Sequence, residues 1–574
     1  MPVKQTRIGT ANISRFNVST TNVSTINVSV LNVKTLNVKP LNVKTLSVRK
    51  LSVSAIVAFV SAAALSVIAG IPQQLTAQPG PLRVEETTIA DVHAAFKAKR
   101  YNCHALVQRY LDRINAYDKQ GPAINSLILV NPKAIAIADS LDKRYAASGP
   151  VGALHCIPVI VKDNYETNDM QTTGGSAALK GWIPQRNATF VQRIRDAGGI
   201  VLAKSNMAEW AFTPNETVSS ILPGYTFNPY ALNRVTAGSS GGTAASVAGN
   251  LGEVGLGTDT GNSIRGPSAH NALVGIRSTM GLTSRAGVIP LSNAADIAGP
   301  MARTVADAVA VFQVVAGEDP DDPVTAVATA HRDADYRTAV KPGGLRGARI
   351  GILRQAYERP TTDSEVVAVF TKALDAMKTQ GATVVEVPKF EDAVMRGRGS
   401  CGGFRPDLAG YFAARGTNAP VKNVDDIIKS GQYHVTIFSR LQSAVGTPDN
   451  ADSSASCKQN KESRQRMRDA VTAMMDSLKL DALVYPTWSN PPRLIGDLTS
   501  PGGDNSQVFS PTTGFPAITV PMGYTRDNTL PAGMTFFGRA WSESKLITLA
   551  YGYEQATHHR RAPASTTAKT AALR

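Results

Sequence analysis

The alternation of apolar and polar residues changes rhythm along this chain. From residue 16 to residue 53 a five-residue unit repeats: FNVST, TNVST, INVSV, LNVKT, LNVKP, LNVKT, LSVRK, LSV. A period of five fits neither the helical period nor the alternation of a strand, so residues 1–50 are expected to be a low-complexity tail. An apolar run, SAIVAFVSAAALSVIAGI, then covers residues 54–71, with Arg49 and Lys50 before it and polar QQLTAQPG close behind. A basic flank, an apolar stretch and a polar exit predict a secretory signal over residues 51–78, with a retained membrane anchor as the alternative. Any membrane contact would then run through residues 51–71.

Beyond residue 78 the pattern becomes globular. Thr88 followed by Asp91 predicts a capping box and a helix to about Lys99. Asn102 opens a second helix, with Leu106, Val107, Tyr110, Leu111 and Ile114 on one face. Short apolar runs predict buried strands at 154–161, 200–203, 482–485 and 517–520. Helical periodicity marks 363–380 and 462–478, while Pro, Gly and Asp make 318–345 and 489–508 loops. Strands alternating with helices, and no convincing linker, predict one α/β domain over residues 79–574.

Composition narrows the class. A chain of 574 residues, 43% hydrophobic, buries a core without disulfides or metal to hold it. Its four cysteines, Cys103, Cys156, Cys401 and Cys457, stand far apart with no C-x-x-C, which argues against a disulfide scaffold and a Cys-rich zinc site. The net charge is +16, but eight Lys/Arg and no acid fall within residues 1–80, so the excess is half tail. A basic tail is weaker evidence than a basic face, and no nucleic-acid partner is expected.

Three segments hold the candidate chemistry. In HCIPVIVKDNYE, 155–166, Lys162 ends an apolar run and is either a strand-tip surface residue or a buried lysine whose charge is disfavoured. In TAGSSGGTAASVAGN, 236–250, Ser239, Ser240 and Thr243 supply hydroxyls among glycines, and a helix is expected to start just after Gly242. In GLGTDTGNSIRGPSAHNALVG, 255–275, Ser263 sits among small residues, with Asp259 and Arg265 expected to brace the loop.

Together these segments resemble the amidase signature family. The resemblance extends through KSNMAE at 204–209, GPMARTVAD at 299–307, GFPAITVP at 514–521, GRAWSE at 538–543 and YEQATHHRR at 553–561. It implies a single α/β/α domain with a large mixed sheet wrapped by helices, and hydrolysis of a carboxylic amide, aliphatic or aryl, to acid and amine or ammonia. It also implies a Ser–Ser–Lys triad. Lys162 would be the base, Ser239 the bridging serine after a cis peptide bond, and Ser263 the nucleophile that forms an acyl-enzyme. Backbone N–H groups of Thr260, Gly261, Asn262 and Ser263 would form the oxyanion hole, and Ser240 would support the loop. The family usually has glycine where this chain has Asn262. Asparagine tolerates unusual backbone angles, but its side chain is expected to intrude near the acyl group. The family implies no metal or organic cofactor.

Two other readings compete. Gly238–Gly242 also fits G-x-S-x-G, with Ser240 as nucleophile, but the residues before it make a poor strand. The motifs are shared with the amidase subunit of glutamine-dependent tRNA amidotransferase, a cytosolic assembly against which the export signal argues. The expected location is periplasmic or secreted, membrane-anchored if the segment is retained, and cytoplasmic if it is not a functional signal. Segments 207–230 and 395–450 are expected to shape the pocket. The sequence leaves the oligomeric state open.

Overall fold

A computed structural model describes residues 83–395, 401–415, 418–448 and 453–567. The pentad repeat, the apolar run and the boundary expected at residue 78 lie outside the described residues. The first helix, Ile89–Lys97, begins at Thr88, whose side chain accepts from the Asp91 N–H while Asp91 reaches back to the Thr88 N–H. Asn102 caps the next helix, Cys103–Tyr117, by accepting from the Ala105 N–H. Its inward face is Leu106, Val107, Tyr110 and Ile114, as the spacing predicts. No described helix is long and apolar enough to cross a membrane.

The strands are β1 Leu127–Val130, β2 Pro158–Lys162, β3 Ile200–Ser205, β4 Phe227–Asn228, β5 Ala231–Val235, β6 Val254–Asp259 and β7 Val274–Arg277. They continue with β8 Ile297–Ala302, β9 Arg349–Ile352, β10 Thr383–Glu386, β11 Ala482–Pro486, β12 Ala517–Thr525 and β13 Leu530–Phe537. Eleven of them form one mixed sheet in the order β1-β3-β2-β6-β8-β7-β12-β13-β11-β9-β10. The strand expected from residue 154 starts only at Pro158, because Cys156 sits in a turn with φ 63°. Strands β2, β3, β6, β7 and β8 are buried along their whole length, which is why they read as continuous apolar or small-residue runs rather than alternating ones.

Two features place the site. β2 pairs in parallel with β6, Val161 opposite Leu256, so their C-terminal ends reach the same edge of the sheet. That edge is where open α/β sheets gather ligands. The helices Phe404–Arg415, Val424–Ser430 and Phe438–Val445 form a second hydrophobic cluster, separate from the main core, with Trp182, Trp210 and Ile289. Arg415 anchors this helical wall through an ion pair of 2.6 Å to the buried Glu166, four residues beyond Lys162. Tyr411 donates to the same carboxylate at 2.8 Å.

The cysteines correct the reading from spacing. All four pair, as Cys103–Cys156 and Cys401–Cys457, at separations of 53 and 56 residues. Neither bridge replaces a core. The first joins the helix Cys103–Tyr117 to the turn before β2, and the second joins the start of the helical wall to the long helix Ala455–Ser477. Partners this remote are brought together only by the fold, so no local motif announces them.

Candidate active site

The end of β2 puts Lys162 inside the protein, fully buried between β3 and β6. Its Nζ donates to Ser239 Oγ and to Thr258 Oγ1, both at 2.7 Å. These partners are hydroxyls, which do not fix a positive charge as a carboxylate would. Burial pushes Lys162 down from its usual range to about 7, against the pull of the Asp296 and Asp259 charges. At neutral pH a large share of Lys162 is therefore an uncharged amine.

Ser239 follows a cis peptide bond, Gly238–Ser239, and lies just ahead of the helix Gly241–Ala248. The helix starts at Gly241 rather than after Gly242. Ser240 is buried and knots this turn to β6: its Oγ donates to the Thr258 carbonyl at 3.2 Å and accepts from the Thr258 N–H at 3.3 Å. The strand before the turn, β5, pairs with the two-residue β4 and stays outside the main sheet, unlike the strand of a nucleophile elbow. The glycines here serve close packing. A Cβ on Gly238 would stand 2.5 Å from the Glu216 carbonyl oxygen, and one on Gly242 would stand 2.7 Å from the Asn206 nitrogen.

Ser263 lies in the loop between β6 and the short helix Arg265–His270. Asp259, the last residue of β6, organises that loop. Its carboxylate accepts from the Ile264 N–H at 3.2 Å, from Arg265 Nε at 3.0 Å and from Arg277 Nη1 at 2.9 Å. Burial pushes the Asp259 carboxyl up, but the two guanidiniums outweigh it and hold it at about 2. Arg265 also donates to the Gly261 carbonyl at 2.6 Å. In a trans peptide the N–H lies opposite the carbonyl, so the Asn262 N–H is turned away from Arg265. The N–H groups of Gly261, Asn262 and Ser263 donate to no described residue. Thr260 Oγ1 donates at 2.5 Å to Asp296, whose carboxylate also receives the Leu291 and Ser292 N–H groups at 2.8 and 2.9 Å.

A cavity of about 420 Å³ opens over this loop, lined by Thr260, Gly261, Asn262 and Ser263. Phe212 and Pro214 reach it from the first pocket segment expected from sequence and Arg440 from the second, while Leu291, Gln507 and Pro511 come from elsewhere. Asn262 departs from expectation in two ways. Its φ is not positive, so the position makes no demand that glycine would meet better. Its side chain is turned toward Gly266, where an added Cβ would stand 2.6 Å from Asn262 Nδ2 and 2.8 Å from Trp488. Its amide is buried and unpartnered among the described residues. Thr258, Arg277 and Asp296 escaped the sequence reading. Thr258 adjoins the motif and could have been found there. Arg277 and Asp296 arrive from β7 and from the residue preceding β8, with no local signal. No cluster of described His, Cys, Asp and Glu residues could hold a metal ion.

The amidase family model matches residues 105–547. A probable amidase of Arabidopsis thaliana is 31% identical over 508 residues, covering 84% of this chain and 92% of that protein. A glutamyl-tRNA(Gln) amidotransferase subunit of Acidothermus cellulolyticus is 32% identical over 495 residues, covering 82% of this chain and 95% of that one. Among solved structures, the peptide amidase of Stenotrophomonas maltophilia superposes with a TM-score of 0.70 at 36% identity, covering 84% of this chain and 99% of the other. Motifs, eleven-stranded mixed sheet and relatives thus agree that this chain belongs to the amidase signature family, and its reaction is the hydrolysis of a carbon–nitrogen amide bond.

Proposed function

We propose that the chain is an exported serine amidase in which Ser263 attacks the amide carbon and Lys162, through Ser239, moves the protons. In the first half, Ser263 Oγ bonds to the carbonyl carbon and its proton passes by way of Ser239 to Lys162. The oxyanion is met by backbone N–H groups of the 260–263 loop. Collapse breaks the C–N bond, Ser239 protonates the departing amine from Lys162, and an acyl-ester remains on Ser263. Water then attacks that ester, giving up its proton along the same route, and the acid leaves with Ser263 reprotonated. The observation that supports this most is the buried Lys162, close to neutrality and bonded to two hydroxyls. Likeness to a peptide amidase favours carboxylic amides at peptide ends as a substrate to test first.

Ser263→Ala, Ser239→Ala and Lys162→Ala should each lower kcat by about 10³-fold or more with folding intact, since groups acting as a unit fail together. A fluorophosphonate should label Ser263. Labelling of Ser240, or full activity in Ser263→Ala, would overturn the mechanism.

Likeness to the amidotransferase keeps a second reading in view. Two disulfides weigh against it, because such bridges persist in oxidising compartments and not in the cytosol. They favour export, as does the apolar run near the N-terminus. Hydrolysis of a simple amide by the purified chain without tRNA, and loss of export on deleting residues 1–78, would separate the two.

A further inference from the structure

The cavity over Ser263 has one charged group in its described lining, the Arg440 side chain. Arg440 is exposed on the helix Phe438–Val445 and makes no hydrogen bond or ion pair with any described residue. The other arginines around the site are engaged: Arg265 and Arg277 with Asp259, Arg285 with Asp322, Arg415 with Glu166. Among the described residues, no carboxylate lines the cavity. A polar neighbour in the lining, Gln507, spends its amide N–H on Asp504 at 2.7 Å. Phe212, Leu291 and Pro511 give the wall an apolar part beside the uncharged Thr260, Asn262 and Ser263.

We propose that Arg440 selects substrates bearing a carboxylate: amides whose body packs on Phe212, Leu291 and Pro511 and whose acidic group meets the guanidinium at the mouth. The proposal rests on Ser263 being the nucleophile. A guanidinium presents a planar fork that matches a carboxylate. A cavity of about 420 Å³ holds a group of small-peptide size, so the carboxylate would lie within a residue or two of the scissile amide. An amine in the same place would be repelled.

The test compares N-succinyl-phenylalaninamide, N-acetyl-phenylalaninamide and β-alanyl-phenylalaninamide, reading ammonia release by the purified enzyme. The wild type should favour the succinyl amide. In Arg440→Gln the succinyl-to-acetyl ratio of kcat/KM should fall about fivefold, mainly through KM, the upper end of what an exposed pair gives. In Arg440→Glu the preference should swing to the β-alanyl amide, and salt near 0.5 M should shrink both effects. Arg440→Lys should keep part of the preference, because it retains charge without the fork. The same ratio in wild type, Gln and Glu variants would overturn the role of Arg440 alone. Hydrolysis that persists unchanged in Ser263→Ala would overturn the parent reading, and this one with it.

Discussion

The proposed mechanism asks Lys162 to act as a base, and its surroundings suit that role by disfavouring its charge. In water a lysine holds its proton near pH 10, and here burial lowers that to about 7. Below pH 7 the ammonium form prevails and, in the proposed mechanism, can no longer accept the Ser239 proton. kcat/KM should therefore fall about tenfold per pH unit on the acid side of a midpoint near 7. The Asp296 charge raises the proton affinity of Lys162, so Asp296→Asn should move that midpoint to lower pH, read from the pH–rate profile. An unmoved midpoint would mean that another group titrates. Lys162→Arg should stay inactive, since arginine keeps its proton. At this scale the sequence was informative but incomplete. It offered Lys162 as surface or buried without deciding, because the decision depends on β3 and β6, which flank it only in the fold. Asn262 shows the converse. The departure from glycine was visible, but not that its side chain would turn toward Gly266 and Trp488.

Among the elements, the turn before the helix Gly241–Ala248 has little room. Gly242 packs against the backbone of Asn206 and Ser126, where a Cβ would stand 2.7 Å from the Ser126 carbonyl oxygen. Gly242→Ala should cost about 1–3 kcal/mol of stability through overpacking and should disturb Ser239 with it. Ser240→Ala removes two hydrogen bonds to Thr258 and, in the proposed mechanism, no reacting group. It should lower stability by about 1–2 kcal/mol while leaving kcat far above that of Ser263→Ala, as chemical denaturation and steady-state rates will show. Elements with a strong local signal were legible: the capped helices Ile89–Lys97 and Cys103–Tyr117, and β3, β11 and β12, whose apolar runs were read slightly short. The helical wall was legible only as a segment that would shape the pocket, because its apolar residues face a separate cluster rather than the sheet.

For the whole molecule, each bridge ties together two elements more than fifty residues apart, one bridge in the early chain and one in the late chain. Cys103–Cys156 closes a span of 53 residues and is buried at both ends. Replacing both cysteines by serine should lower stability by about 2–4 kcal/mol, with the melting temperature as readout, and growth in a reducing cytosol should cost a similar amount. An unchanged melting temperature would mean that the packing there suffices without the bond. The sequence could not announce these partners, whose proximity is a property of the assembled sheet and helices. The separate cluster beneath the helical wall has a further consequence. The strands that carry Lys162 and lead to Ser263 are anchored in one core, while Arg440 stands on helices held largely by another, joined to the first at Glu166 and through Cys401–Cys457. Tool and mould are thus mounted on different foundations. If the two proposals hold, substitutions on the helical wall should recut the mould and leave the tool its edge.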